Sequence, residues 1–182
     1  MECQPLYKEA FEFNNVIDEW IYHSRDIVKS YLENGEHPAL DKYFKEVTPD
    51  FKGIVYRVGM ISKEAVNNLK KGDIVTNSFP FATSYNNEVT EVFSRLTDNR
   101  LVNRPTHTKI RYRILLNTPQ YKLPNKAESE VLIKPKVKFI IEDIFNADKE
   151  LIVSLRAPEF YGRLGKAIPL LGIEPIITTK DK

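Results

Sequence analysis

The chain has 182 residues, of which 42% are hydrophobic and 29% charged, enough for one packed domain and short for two. Its 27 lysines and arginines nearly balance 25 aspartates and glutamates, and a net charge of +2 excludes a protein driven onto polyanions by its overall field. One cysteine, Cys3, excludes an internal disulfide framework or thiolate cluster, no apolar run reaches the roughly 20 residues that span a bilayer, and Met1-Glu2-Cys3-Gln4-Pro5 lacks the features of a signal peptide, so a cytoplasmic location where the protein is made is expected.

From Leu6 to about Leu32 the residues Phe11, Val16, Ile17, Trp20, Ile27, Val28, Tyr31 and Leu32 recur at spacings of mostly three, four and seven. This predicts one or two amphipathic helices, ended by Asn34-Gly35. Pro38 in a first-turn position predicts a further helical turn over 39–44, closed by Thr48-Pro49-Asp50. Residues 1–50 are therefore expected to form a helical segment of a single domain spanning 1–182. After Gly53 the pattern turns to strands. Ile54-Val55-Tyr56-Arg57-Val58 predicts a buried strand ending at Gly59, with one charge in its middle. Ser62 caps a predicted helix to about Leu69, and Lys71-Gly72-Asp73 leads into a strand over Ile74-Val75-Thr76. The proline of Phe79-Pro80-Phe81-Ala82-Thr83-Ser84 predicts an edge or irregular strand, and Asn86 or Asn87 caps a helix burying Val89, Val92 and Phe93. Residues 95–107 read as a polar loop. Strand-like segments follow at 109–116, 131–133, 137–141 and 151–155, separated by Pro119, Pro124, Pro135 and Asn146-Ala147-Asp148. Helices first and a mostly antiparallel sheet afterwards predict an α+β fold with its β core over 51–155. The segment 156–182, with Leu164, Ile168, Leu170, Leu171 and Ile173, reads either as a covering strand or as a partner surface.

Three short segments carry chemistry. In Glu128-Ser129-Glu130-Val131-Leu132-Ile133 the side-chain period of a strand puts Glu128 and Glu130 on one face. Two like charges side by side are unfavourable unless something positive or rich in hydroxyls comes between them, so the pair is either a solvated strand end or a binding site. Arg57 inside an apolar strand either snorkels to an acidic partner or offers its planar donors to a phosphate or carboxylate. Thr83 and Ser84 are hydroxyl donors, or else close a strand through local backbone bonds. His23, His37 and His107 are too scattered to predict a metal site. Gly162-Arg163-Leu164-Gly165 lacks the third glycine and the setting of a dinucleotide fingerprint, and reads as a turn. The basic run Arg95, Arg100, Arg104, Lys109, Arg111 and Arg113 leaves a nucleic-acid-binding module open as an alternative, with Tyr112 as a stacking platform, although such runs are more often solvated faces.

The order of these pieces, Val55-Tyr56-Arg57-Val58-Gly59, then Phe81-Ala82-Thr83-Ser84, then Glu128-Ser129-Glu130, resembles the mono-ADP-ribosyltransferases of the arginine, serine, glutamate class, found in bacterial toxins and phage-encoded modifying enzymes. The likeness spans residues 10–155 and rests on about a dozen positions. It implies two packed sheets, NAD as substrate without a metal, and transfer of ADP-ribose to arginine side chains of a target protein with release of nicotinamide. Under it Glu130 stabilises the cation developing on the ribose, and Glu128 serves the acceptor. Arg57 takes the dinucleotide phosphates, helped by Arg95. Val58 and Gly59 meet the nicotinamide carboxamide, and Thr83 and Ser84 complete the cofactor site. Tyr121, expected exposed in the loop Thr118–Asn125, would read the target protein. Ala82 departs from the family pattern, which has a serine there that orients the catalytic glutamate. A glycoside hydrolase using the paired carboxylates is a further alternative, weakened because neighbours on one strand face cannot flank a sugar from opposite sides.

Overall fold

Apolar spacing of three and four builds the first helix, α1 over Cys3–Asn34, in the computed structural model, which describes residues 3–147, 149–159 and 168–169. A kink at His23, whose φ of −138° and ψ of 34° leave the helical region, divides this stretch into two helices in succession. Gly35 ends it with a φ of +74° and an N–H donated to the Tyr31 carbonyl at 2.9 Å, the left-handed stop that glycine accepts without strain. Helix α2 follows over Pro38–Glu46, with Pro38 in its first turn and the His37 ring accepting the Leu40 N–H at 3.2 Å. Tyr31 donates its hydroxyl to Asp41 at 2.5 Å and joins α1 to α2. Val16, Trp20, Ile27, Tyr31 and Leu40 are buried. These helices form one compact unit, Met1–Pro49, and the remaining chain, Asp50–Lys182, forms a second. Among the described residues no helix is long and apolar enough to cross a membrane.

Among the described residues the second unit is built on a sheet of eight strands: β1 Phe51–Ser62, β2 Ile74–Thr76, β3 Phe81–Ser84, β4 His107–Lys122, β5 Glu130–Ile133, β6 Lys138–Asn146, β7 Glu150–Ala157 and β8 Ile168–Pro169. Helix α3, Lys63–Val66, follows β1, and α4, Asn87–Leu101, follows β3. The strand order is β1-β3-β5-β4-β7-β6-β2-β8, and β1 also pairs with β4. Strands β1, β3, β5 and β4 thereby close a ring. The long β4 makes this possible: residues 107–116 pair with β1, 109–116 also pair with β7, and Tyr121 and Lys122 pair with β5. The pairings are antiparallel apart from β4 with β7 and β2 with β8. The core lies on the face of Val55, Ile110, Tyr112, Phe81, Val131 and Phe139.

Several predicted boundaries move. β1 does not stop at Gly59 but pairs it with Ile110 and continues to Ser62, since an extended glycine interrupts no ladder. Ser62 does cap α3, accepting the Ala65 N–H at 3.1 Å, yet the helix is a single turn. β3 is not an edge strand: it pairs with β5 over its whole length and meets β1 at Tyr56, because Pro80 falls just before it. Residues 95–101 are helical rather than loop. The face α4 buries is Thr90, Ser94 and Thr97, while Val92 is exposed, because the helix packs on polar positions of the sheet. There the Lys109 ammonium donates to Ser94 Oγ at 2.8 Å and to Asp98 at 2.9 Å, and Arg111 pairs with Glu91 at 2.8 Å. Pro119 lies inside β4, where the register against β1 shifts between Phe51 and Gly53 and no amide is required. In the segment 156–182, β8 pairs in parallel with β2; Leu164, Leu170, Leu171, Ile173 and the turn 162–165 lie outside the described residues.

Candidate active site

Strand β1 carries Arg57 inward rather than out to solvent, leaving it 9% exposed. Its Nη1 donates to the Ala82 carbonyl at 2.8 Å, and the guanidinium carbon lies 4.5 Å from the centre of the Phe81 ring, so β3 supplies both an acceptor and an aromatic face. Tyr112, the partner of Arg57 across β4, meets Phe81 edge to face at 5.6 Å. Burial pushes Arg57 down to about 10, while Tyr112 and Glu130 favour its charged form. It therefore remains a cation at neutral pH. Its Nε is buried and has no hydrogen-bond partner, and the same holds for the Tyr112 hydroxyl. Burial raises the Tyr112 phenol well above its ordinary value, with the Arg57 charge acting in the opposite sense. Val58 and Gly59 follow in β1, both buried.

The hydroxyls of β3 fasten the segment that bears the carboxylates. Thr83 Oγ1 donates to the Val131 carbonyl at 2.6 Å, and Ser84 Oγ donates to the Glu128 carbonyl at 2.7 Å while accepting the Asn86 N–H at 3.1 Å. Ser84 is the ladder partner of Glu130. Ala82 stands opposite Leu132, and its contribution to the site is its backbone carbonyl, held by Arg57.

The two glutamates do come together, though by a different route from the strand alternation expected of them. Only Glu130 is in β5; Glu128 sits in the preceding turn, and Ser129 between them has a φ of +48° that breaks the alternation. Their link is Asn125, whose Nδ2 donates to Glu128 Oε2 at 3.0 Å and to Glu130 Oε1 at 3.1 Å. Glu130 is 4% exposed and Glu128 half-buried, so the pair is not a solvated strand end. Sequence reasoning did not single out Asn125. The contact is made across a turn, where periodicity carries no information, and its one signal was an amide closing the loop before the carboxylates.

Two candidates stand elsewhere. Tyr121 is 3% exposed, because β4 runs through Pro119 and pairs Tyr121 with Leu132, so the expectation of an exposed target-reading aromatic is corrected. Burial also raises its phenol pKa. An aromatic that is exposed lies just past Ser84: Tyr85, 39% exposed, stacks on Phe51 at 5.7 Å, has the Lys122 ammonium 5.0 Å from its ring centre, and donates its N–H to the Ser129 carbonyl. Arg95 is exposed on α4 and is hydrogen-bonded to no other candidate among the described residues. The described residues contain no group of three or more histidine, cysteine, aspartate or glutamate side chains placed to hold a metal.

No family model matches the sequence, and no curated protein matches it. Solved structures do match the fold. The ADP-ribosyltransferase Vis in complex with agmatine is 19% identical, with a TM-score of 0.68 over 88% of this chain and 79% of that one. Vis toxin from Vibrio splendidus is 20% identical, with a TM-score of 0.64 over 82% and 74%. Exoenzyme S of Pseudomonas aeruginosa, in complex with human 14-3-3 protein beta and bound to Carba-NAD, is 12% identical, with a TM-score of 0.60 over 85% and 75%. At such identities the likeness establishes architecture, and a helical start followed by a mostly antiparallel sheet in this strand arrangement is the ADP-ribosyltransferase fold.

Proposed function

We propose that this protein is an NAD-dependent mono-ADP-ribosyltransferase of the arginine, serine, glutamate class, transferring ADP-ribose to arginine side chains of a target protein. The observation that carries the reading is the pair Glu128 and Glu130, held together through Asn125 beside the strand of Ser84, in a fold shared with ADP-ribosyltransferases. The bond between nicotinamide and ribose breaks, nicotinamide leaves with the electron pair, and positive charge develops on the sugar. Glu130 lies against that charge and stabilises it. A guanidinium nitrogen of the acceptor then bonds to the ribose carbon and gives up a proton, with Glu128 accepting the acceptor's hydrogen bonds and aiding that loss.

Arg57 fits an anionic substrate through its charge: the guanidinium stays cationic, and its enclosed, unpartnered Nε leaves the planar donor fork only partly used within the protein. Val58 and Gly59 provide backbone for the nicotinamide carboxamide, while Thr83 and Ser84 act mainly by fastening the carboxylate segment. Arg95, exposed on α4, is a further candidate for the phosphates. Agmatine, a small guanidinium compound, is held by Vis, and Carba-NAD by Exoenzyme S, which supports guanidinium as acceptor and NAD as donor here. The setting that suits such an enzyme is a bacterial or phage-encoded effector acting in the cytoplasm, with residues 1–182 working as one transferase domain. Neither alternative gains support: Lys109 and Arg111 of the basic run are neutralised by Glu91, Asp98 and Glu150, and the carboxylates share one donor instead of flanking a sugar.

The test is incubation with labelled NAD and either agmatine or a cell lysate, followed by mass spectrometry of labelled products. Labelled agmatine and an arginine-modified protein are expected. Label on no acceptor, with no nicotinamide released, would overturn the assignment.

A further inference from the structure

We propose that Asn125 is the positioning residue that sets whether cleaved NAD goes to an acceptor or to water; this rests on the transferase reading above. The argument begins with the donors. A carboxamide nitrogen carries two hydrogens, and both of those on Asn125 are committed, one to Glu128 Oε2 at 3.0 Å and one to Glu130 Oε1 at 3.1 Å. A neutral group thus bridges two carboxylates that would otherwise repel, and it is the donor they share.

The two glutamates depend on it unequally. Glu130 belongs to β5, is 4% exposed and is set by the pairing of its backbone with Ser84, so strand geometry keeps it in place without Asn125. Glu128 lies in a turn ahead of the strand, after which the chain passes through the left-handed Ser129. Its backbone is tied by Ser84 Oγ at 2.7 Å, and the direction of its carboxylate is set by Asn125. Removal of the amide therefore frees the glutamate that serves the acceptor more than the one that serves the sugar. Water needs less activation than a guanidinium, so hydrolysis persists where transfer fails.

The readout is the ratio of ADP-ribosylated agmatine to free ADP-ribose at saturating NAD and agmatine, for wild type, Asn125→Ala and Asn125→Asp. This ratio is independent of how much of each preparation is folded, which separates positioning from a structural role. Asn125→Ala is expected to shift it toward hydrolysis by about fivefold or more, and Asn125→Asp further, since a third carboxylate replaces the shared donor. An unchanged ratio in both variants, alongside an active wild type, overturns the role of Asn125 and leaves the transferase reading standing. A wild type that releases no nicotinamide overturns both.

Discussion

A guanidinium in an apolar core is unfavourable unless its donors are used, and Arg57 uses Nη1 on Ala82 and its face on Phe81 but leaves Nε unpartnered. That incompleteness supports the proposed role of Arg57 toward the dinucleotide phosphates. Arg57→Lys is expected to weaken NAD binding about tenfold or more, roughly 1.4 kcal/mol, because an ammonium cannot present a planar fork at the same point. Calorimetry measures it, and unchanged affinity would reduce Arg57 to a packing role. The neighbouring Tyr112 separates function from stability in the opposite way. Its hydroxyl is buried without a partner, so Tyr112→Phe removes an unmet polar group at constant shape. Thermal unfolding should show no loss, or a gain of up to about 1 kcal/mol; a clear drop would mean that the hydroxyl is satisfied in solution. From sequence, Arg57 was conspicuous as a lone charge in a β-branched run, and the structure keeps it in place of the snorkelling alternative. Its relation to Tyr112 was not legible, since strand register across 55 positions has no local signature.

Among the elements, β3 is the one that organises the site. Its ladder to β5 places Ser84 beside Glu130, and its hydroxyls bind the carbonyls of Glu128 and Val131. Ser84→Ala removes the bond to Glu128 and the one from the Asn86 N–H, and should destabilise the protein by about 1–2 kcal/mol while reducing transfer. Denaturant unfolding with parallel activity assays checks this; full activity at wild-type stability would show that β3 acts through its backbone alone. The role of these hydroxyls was half legible. A Thr-Ser pair announces either a site or a strand end bonding to backbone, and here both hydroxyls bond to backbone carbonyls of the segment that bears the glutamates. Elsewhere local signals misled for identifiable reasons. Pro119 read as a break because proline cannot donate to a ladder, but a register shift gave it a position where nothing is asked of its nitrogen, and Tyr121 was buried in consequence. Helix α4 escaped detection beyond residue 95 because it rests on Ser94 and Thr97 and is tied to Lys109, so no apolar periodicity marks its C-terminal half.

At the scale of the whole molecule, the succession of helical segment and β core could be read from periodicity and turn residues, with Gly35 and Pro49 marking the end of each helical piece. The closure of β1, β3, β5 and β4 into a ring, and the parallel pairing of β4 with β7, could not, because both are decided by contacts distant in sequence. That closure brings Arg57, Ser84 and Glu130 from three separate strands to one region of the second unit, and the proposed activity depends on their acting on a single substrate. The most direct test is to measure nicotinamide release and labelled agmatine in parallel for wild type, Glu130→Gln and Glu128→Gln. Glu130→Gln should lose both activities by at least about a hundredfold, having lost the charge that stabilises the developing cation. Glu128→Gln should lose transfer yet keep measurable cleavage of NAD by water. Retention of most NAD cleavage by Glu130→Gln, or equal loss of both activities in both variants, would contradict the account.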